Sequence, residues 1–310
     1  MYGGEGDDEY AIRSDGDIAV EYYNEGTDQV DVYINNYTMD DNIENAFMAE
    51  NTSSSASSAY KLNGNDLSNV IRANSFSNTI DAKEGNDAVA GYEGDDTIYG
   101  GDGDDVLYGG NTMSSIADGN DVIYGGNGND QIAGENGDDL LYGDAGDDVI
   151  NGGIGNDTMY GGVGNDVFVV QDAGDVVVEK AGEGIDQVNV GLVNGYTLAD
   201  NVENMIMLDD TGMVSANGNS LDNIIQASND SNIVNAAAGN DTVLGMLGDD
   251  LIYGGEGDDV LVGGNNTNQY LDGNDTIYGG AGNDQISGEN GDDILYGEAG
   301  NDYLYGGLGN

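Results

Sequence analysis

The chain has no Cys, no His, no Pro and no Trp, and only five Lys or Arg among its 310 residues. Without Cys there is neither a disulfide scaffold nor a thiolate metal site. Without His the commonest zinc ligand and the commonest general base are both missing, and a His-ligated metalloprotease site is excluded. No apolar run approaches the length that spans a bilayer, and Met1-Tyr2-Gly3-Gly4 lacks the basic start and apolar centre of a signal peptide. Against the five bases stand 60 Asp and Glu, a formal charge of -55 at pH 7. Such a charge repels itself strongly enough to oppose a compact state, so a cationic partner is expected. Nucleic acid and anionic membranes are poor partners for it, and hard divalent cations are good ones.

What the chain has instead is glycine, 54 residues of it, set in a nine-residue period. From Gly91 to Val169 the units read GYEGDDTIY, GGDGDDVLY, GGNGNDQIA, GENGDDLLY, GDAGDDVIN, GGIGNDTMY and GGVGNDVFV. Their acidic position falls on Asp87, Asp96 and Asp105, then after one longer step on Asp121, Asp130, Asp139, Asp148, Asp157 and Asp166. A fixed short period marks a solenoid, in which each unit buries its apolar side only by stacking on copies of itself.

Two tandem modules follow from reading the chain in order. Module 1 spans 1–169, with an irregular β-prone leading block to about residue 63 and a repeat array over 64–169. Module 2 spans 170–310, with a leading block to about 217 and an array over 218–310 whose acidic positions are Asp241, Asp250, Asp259, Asp275, Asp284, Asp293 and Asp302. YTMDDNIENA in the first block matches YTLADNVENM in the second, and the insertion Asn111 to Ala117 recurs as Asn265 to Leu271. NTSSSASSA, at 51–59, reads as a flexible loop. GGEGDDEYA at the start and GGLGN at the end are incomplete arrays, so the chain is expected to be a piece of something longer.

The unit GGxGxDxUx, with U a large aliphatic, divides into a turn and a strand. Glycines at the first, second and fourth places permit positive φ and a tight turn, and the last three residues are β-prone. Ile98, Leu107, Ile123, Ile132, Leu141, Ile150 and Met159 then face one interior, and two units close a coil of two short parallel sheets back to back. A core one side chain deep per strand is thin, so the turns must contribute stability. Each turn offers the sixth-place carboxylate and several carbonyl oxygens, and stacked turns make an oxygen cage. Calcium accepts six to eight oxygens in irregular geometry, whereas magnesium demands a strict octahedron. Calcium is therefore the expected ion, on the order of a dozen per chain, with folding linked to its binding and an expanded chain without it.

These residues resemble the repeats-in-toxin (RTX) proteins, whose calcium-binding nonapeptide is this unit. The resemblance implies an all-β fold, a right-handed parallel β-roll with calcium in the turns, secreted or cell-surface localisation through type I export from a Gram-negative bacterium, and folding in extracellular calcium. It assigns the ligating carboxylates to the sixth-place Asp residues of both arrays, Asp87 through Asp166 and Asp241 through Asp302. The backbone carbonyls are assigned to turn glycines such as Gly101, Gly103, Gly126, Gly128, Gly255, Gly257, Gly280 and Gly282. Four departures replace the Asp by Asn69, Asn78, Asn223 and Asn232, so those leading turns are expected to hold no ion. Glu135, Asp144, Glu289 and Glu298 replace the second Gly, whose carbonyl still serves.

Competing readings are weaker. No loop has the Gly and Glu spacing of an EF-hand. Asp pairs such as Asp95-Asp96 are explained by the repeat, and an array of identical sites offers no cleft with two carboxyls pushed apart in pKa, so the segment is expected to be non-enzymatic. The seventh places, Thr97, Val106, Val122, Gln131, Leu140, Val149 and Thr158, are too mixed for an ice-binding face. The ninth places separate into a column of Tyr99, Tyr124, Tyr142 and Tyr160, its partner Ala90, Tyr108, Ala133 and Asn151, and a second-module column of Tyr253, Tyr278 and Tyr296. The first expectation is a structural spacer and secretion-folding module of a larger protein. The alternatives are a polysaccharide- or surface-binding module and part of an exported toxin or hydrolase.

Overall fold

The computed structural model describes residues 1–50, 60–110, 118–209, 215–265 and 272–309. The Ser-rich stretch and the two insertions fall outside them, except for Asn265. The described residues contain β-strands and no helix, hence no helix long and apolar enough to cross a membrane. Every strand pairing in the ladder is parallel, and the chain is a β-solenoid.

Strand formation follows directly from the unit. In Thr97–Asp102 the side chain of Ile98 points inward, Tyr99 outward, and Gly100 is again buried. At Gly103, φ of 140° turns the chain back across the edge of the sheet, a conformation an L side chain resists. Eighteen residues complete a coil: Ile80 lies beside Ile98 and Ile132 beside Ile150. Across each insertion the step is 25, yet the register is kept, with Ile98 beside Ile123 and Ile252 beside Ile277.

The chain forms two compact units, Met1–Asp166 with Gly174–Val176, and Val167–Ala173 with Val177–Asn310. In the first, one sheet stacks Glu9–Ile12, Gln29–Val32, Asn45–Met48, Val70–Arg72, Ala88–Ala90, Val106–Tyr108, Gln131–Asn136 and Val149–Ile154 in chain order. The opposing sheet stacks Asn36–Thr38, Tyr60–Asn63, Asn78–Glu84, Thr97–Asp102, Val122–Asn127, Leu140–Ala145 and Thr158–Val163. The second unit repeats the plan, for example Thr242–Leu244, Val260–Val262, Gln285–Ser287 on one sheet and Leu251–Glu256, Thr276–Ala281, Ile294–Ala299 on the other.

The leading blocks, which show no nine-residue period, belong to the same ladders. Glu9–Ile12 pairs with Gln29–Val32 at a step of 20, and that strand pairs with Asn45–Met48 at a step of 16. In the second unit Gln187–Val190 pairs with Asn204–Met207 at a step of 17. Strand register survives because only the turns change length, and turns at the edge meet solvent.

Between the sheets lies a file of aliphatic side chains. Ile98, Leu107, Ile123, Leu141, Ile150, Met159, Ile252, Leu261 and Ile277 have no exposed surface. On the outer face the tyrosines of one sheet stack ring on ring: Tyr99, Tyr124, Tyr142 and Tyr160 have centroids 4.9, 4.8 and 4.7 Å apart and planes within 11° of parallel. Tyr253, Tyr278 and Tyr296 do the same at 5.1 and 4.6 Å. The partner column breaks, since Tyr108 stands between Ala90 and Ala133.

Because Ile123 has no exposed surface and its neighbours cannot collapse inward past a ladder, Ile123→Ala is expected to cost about 2–5 kcal/mol. Val149→Thr, on the solvent face, is expected to stay within about 0.5 kcal/mol. Guanidinium unfolding in saturating calcium, followed by circular dichroism, measures both. Equal effects would mean that the aliphatic file is not the core.

Candidate metal centre

The sixth-place Asp residues of the arrays sit where a polar side chain is least expected, inside. Asp87, Asp96, Asp105, Asp121, Asp130, Asp139, Asp148, Asp157, Asp166, Asp241, Asp250, Asp259, Asp275 and Asp284 are buried, and Asp293 and Asp302 are half-buried. The turn places them there because the sixth residue closes it, just before the strand begins.

Each carboxylate has one oxygen satisfied by a backbone N–H of the coil before it. Asp121 N–H donates to Asp139 Oδ1 at 2.8 Å, Asp130 to Asp148 at 2.8 Å, Asp139 to Asp157 at 2.9 Å and Asp148 to Asp166 at 2.8 Å. In the second array Asp241 donates to Asp259, Asp250 to Asp275, and Asp259 to Asp284, all at 2.9 Å. In thirteen of them the other oxygen has no such partner. Oδ2 of Asp87, Asp96, Asp105, Asp121, Asp130, Asp139, Asp148, Asp241, Asp250, Asp259, Asp275, Asp284 and Asp293 is buried without a hydrogen bond.

These orphan oxygens lie against the first glycine of their own turn, except in the turns of Asp87 and Asp241, where Ala82 and Ala236 take that place. A Cβ at Gly125 would overlap Asp130 Oδ2 and would meet the Gly143 carbonyl of the next coil at 2.7 Å. The same cradle recurs at Gly100 with Asp105, Gly134 with Asp139, Gly254 with Asp259 and Gly279 with Asp284. The second- and fourth-place glycines Gly101, Gly103, Gly126, Gly128, Gly255, Gly257, Gly280 and Gly282 have φ between 110° and 153°. Their carbonyls form separate columns, with Gly101 O against the Gly126 α-carbon and Gly103 O against that of Gly128. The oxygen brought beside the carboxylate is thus a first-place carbonyl, which the sequence reading did not name. Glu135, Asp144, Glu289 and Glu298 take the second place with φ of 77°, 72°, 68° and 66°, so the turn forces its shape on non-glycine residues, at a cost of about 1–3 kcal/mol each.

Burial raises the pKa of these carboxyls, with neighbouring carboxylates adding to the effect and the backbone N–H opposing it. Asp105, Asp241 and Asp259 rise to about 6, Asp87, Asp96, Asp121, Asp130 and Asp275 to about 7, Asp139 and Asp148 to about 8, and Asp250 to about 9. A buried, unpaired carboxylate costs several kcal/mol unless a proton or a cation neutralises it. The one ion pair among the described residues, Lys180 with Glu183, lies outside the arrays. An all-oxygen donor set that is buried, anionic and short of a counter-ion fits calcium.

The leading turns supply a contrast. Where Asn replaces Asp, its amide nitrogen meets backbone oxygen directly: Asn69 Nδ2 donates to Ile43 O at 3.3 Å and Asn223 Nδ2 to Glu203 O at 3.2 Å. In these turns the side-chain N–H of Asn donates to oxygens of the neighbouring coil.

Sequence reasoning also missed how far the sixth-place ladder runs. Asp8 N–H donates to Asp28 Oδ1 and Asp28 N–H to Glu44 Oε2, while Asp186 N–H donates to Glu203 Oε2. Altered turn lengths hid these positions from a nine-residue count. A second ladder, at the exposed fifth place, explains why that place is almost always Asp or Asn. Asp104 N–H donates to Asn86 Oδ1 at 3.1 Å, Asn129 to Asp104 at 2.9 Å and Asp147 to Asn129 at 2.8 Å.

No curated protein matches the chain. The family described as "RTX calcium-binding nonapeptide repeat (4 copies)" matches residues 63–98, 81–111, 117–141, 134–168, 217–252, 236–270, 271–295 and 282–310. These matches take in more than half of the chain and fall on the coils that carry the orphan carboxylate oxygens. The chain belongs to the RTX calcium-binding nonapeptide repeat family, and it is a calcium-binding β-roll segment.

Proposed function

We propose that the segment is a non-enzymatic spacer and folding module of a larger secreted or cell-surface protein, exported unfolded by a type I system and stiffened by extracellular calcium. One observation carries this reading: the row of thirteen carboxylates, each with a buried oxygen that no hydrogen bond satisfies. Sixth-place Asp residues and the first-place carbonyls beside them would hold the ions. A bound calcium supplies the positive charge that lets the carboxylates stay ionised inside the roll. In low calcium the same charges oppose folding, which suits passage through a secretion channel.

A second reading, a polysaccharide- or surface-binding module, draws on the tyrosine columns. Sugar recognition uses ring faces, and here neighbouring rings cover each other's faces at 4.6 to 5.1 Å. Shielding of the sheet accounts better for that arrangement. Tyr124→Ser with Tyr142→Ser is expected to leave binding to a glycan panel unchanged while lowering stability by about 0.5–1.5 kcal/mol per lost pair. Loss of glycan binding with stability intact would favour the second reading.

Calcium titration followed by circular dichroism tests the main reading. The chain is expected to be unfolded in chelator at pH 7.5 and β-rich after calcium, with magnesium ineffective. A chain equally folded in chelator would overturn it.

Proton linkage gives a sharper test. The folded pKa values lie above the unfolded value of about 3.9, so in the metal-free roll the contribution of these groups is present at low pH and lost as pH rises through about 6 to 9. Calcium needs the ionised form, so its binding runs the other way. Lowering pH from 8 to 5 is expected to increase β-signal in chelator and to raise the calcium midpoint. Asp139→Asn keeps the acceptor for Asp121 N–H and removes one charge. It is expected to fold more readily than the parent in chelator yet bind fewer ions in calcium, measured by the same titration with a bound-ion count. A parallel change in both conditions would argue against a calcium role for Asp139.

A further inference from the structure

The first leading turn differs from every array turn in one respect. Tyr2 pairs with Val20 across adjacent coils, so Glu21 stands at the place of Gly3, the first glycine of the unit. In the arrays that place holds nothing larger than alanine: it is glycine except at Ala73, Ala82, Ala227 and Ala236, and a Cβ at the glycines would overlap the carboxylate of the turn. Seven positions separate Glu21 from Asp28, whereas five separate Gly3 from Asp8. The longer turn makes room for a glutamate side chain where the arrays admit none.

That side chain points inward. Glu21 is only 4% exposed, and its Oε2 is buried without a hydrogen-bond partner, as is Asp8 Oδ2. One oxygen from each of Asp8, Glu21 and Asp28 lies within 4.8 Å of the other two. The group is held in place from outside. Tyr10 O–H donates to Glu21 Oε1 and accepts Gly3 N–H at 2.7 Å, and Asp28 Oδ1 accepts Asp8 N–H at 2.9 Å. No base answers the three charges: Arg13 lies over the Tyr33 ring and Arg72 over Phe47, and the described residues hold no ion pair here. Three carboxylates, two of them positioned by hydrogen bonds, with two orphan oxygens form a hard, strongly anionic oxygen site.

We propose that Asp8, Glu21 and Asp28 form a calcium site of a different kind from the array turns, with three carboxylates drawn from three segments of chain. Its higher charge makes it the tightest site of the first unit. Filling it first ties the opening coil to the next before the arrays are loaded. Glu179 and Asp186 repeat the Glu21-to-Asp28 spacing in the second unit, with Phe168 at the place of Tyr10. The side chain that orients Glu21 is therefore particular to the first.

The test uses the full chain, stripped by chelator and titrated with calcium, with bound ions counted by equilibrium dialysis and folding followed by circular dichroism. Glu21→Gln, which keeps an acceptor for Tyr10, and Asp28→Asn, which keeps the acceptor for Asp8, are each expected to bind one ion fewer and to lose the tightest step of the isotherm, at least tenfold in affinity. Their folded signal at saturating calcium is expected to match the parent. Wild-type ion number and first step in both variants would overturn the site while leaving the β-roll reading intact; a parent that binds no calcium would overturn that reading as well. A second measurement mutates no ligand: at less than one equivalent of terbium, tyrosine-sensitised emission is expected to fall several-fold in Tyr10→Phe, and unchanged emission would count against the site.

Discussion

A buried carboxylate with one oxygen satisfied and the other left over is the constraint on which this fold depends. Oδ1 of each sixth-place Asp accepts a backbone N–H from the coil before it, which fixes the side chain's position and tilt. In thirteen of them Oδ2 is then held inside the turn with nothing to accept from. Thirteen of these orphan oxygens in the arrays cannot be tolerated as free charges, because the cost of burying even one is several kcal/mol and a domain's whole stability is only about 5–15 kcal/mol. Protons or calcium must be present for the roll to exist. That couples folding to the surroundings more tightly than a hydrophobic core would.

The rest of the architecture transmits that coupling from coil to coil. Sixth-place N–H groups donate forward along the chain and fifth-place N–H groups donate backward, so each turn is tied to both neighbours by its side chains. The aliphatic file and the stacked tyrosines add further contacts, again only between adjacent coils. Stability is therefore close to a sum over neighbours, as in other solenoids. A repeated length built this way is stiff where its turns are loaded and adjustable where they are not. At Asn69 and Asn223 the side-chain amide donates to a carbonyl of the preceding coil, tying the leading blocks to the arrays.

Much of this was legible in the residues. The nine-residue period, the inward aliphatics and the sixth-place Asp residues are all local, and a parallel roll follows from them once stacking is assumed. The register across the insertions was legible too, since Tyr99 and Tyr124 were assigned to one column and lie side by side. Less could be read in the leading blocks. Coils of 16, 17 and 20 residues there keep the ladder while breaking the period, so Asp28, Glu44, Asp186 and Glu203 looked unrelated to the array. That a first-place carbonyl also lies near each cradle could not be read from one unit, because which oxygen faces which carboxylate is set by the neighbouring coil.

The sequence by itself determined the period, the division of each unit into turn and strand, the sign and size of the charge, and hence the class of ion. Those follow from residue type and spacing alone. Only the tertiary structure decided which oxygens remain unsatisfied, how strongly each carboxyl is shifted, and that Glu21 lies beside Asp8 and Asp28. These depend on contacts 18 to 25 residues apart in the arrays, and on a turn whose length lets a glutamate enter where the arrays hold a glycine or alanine.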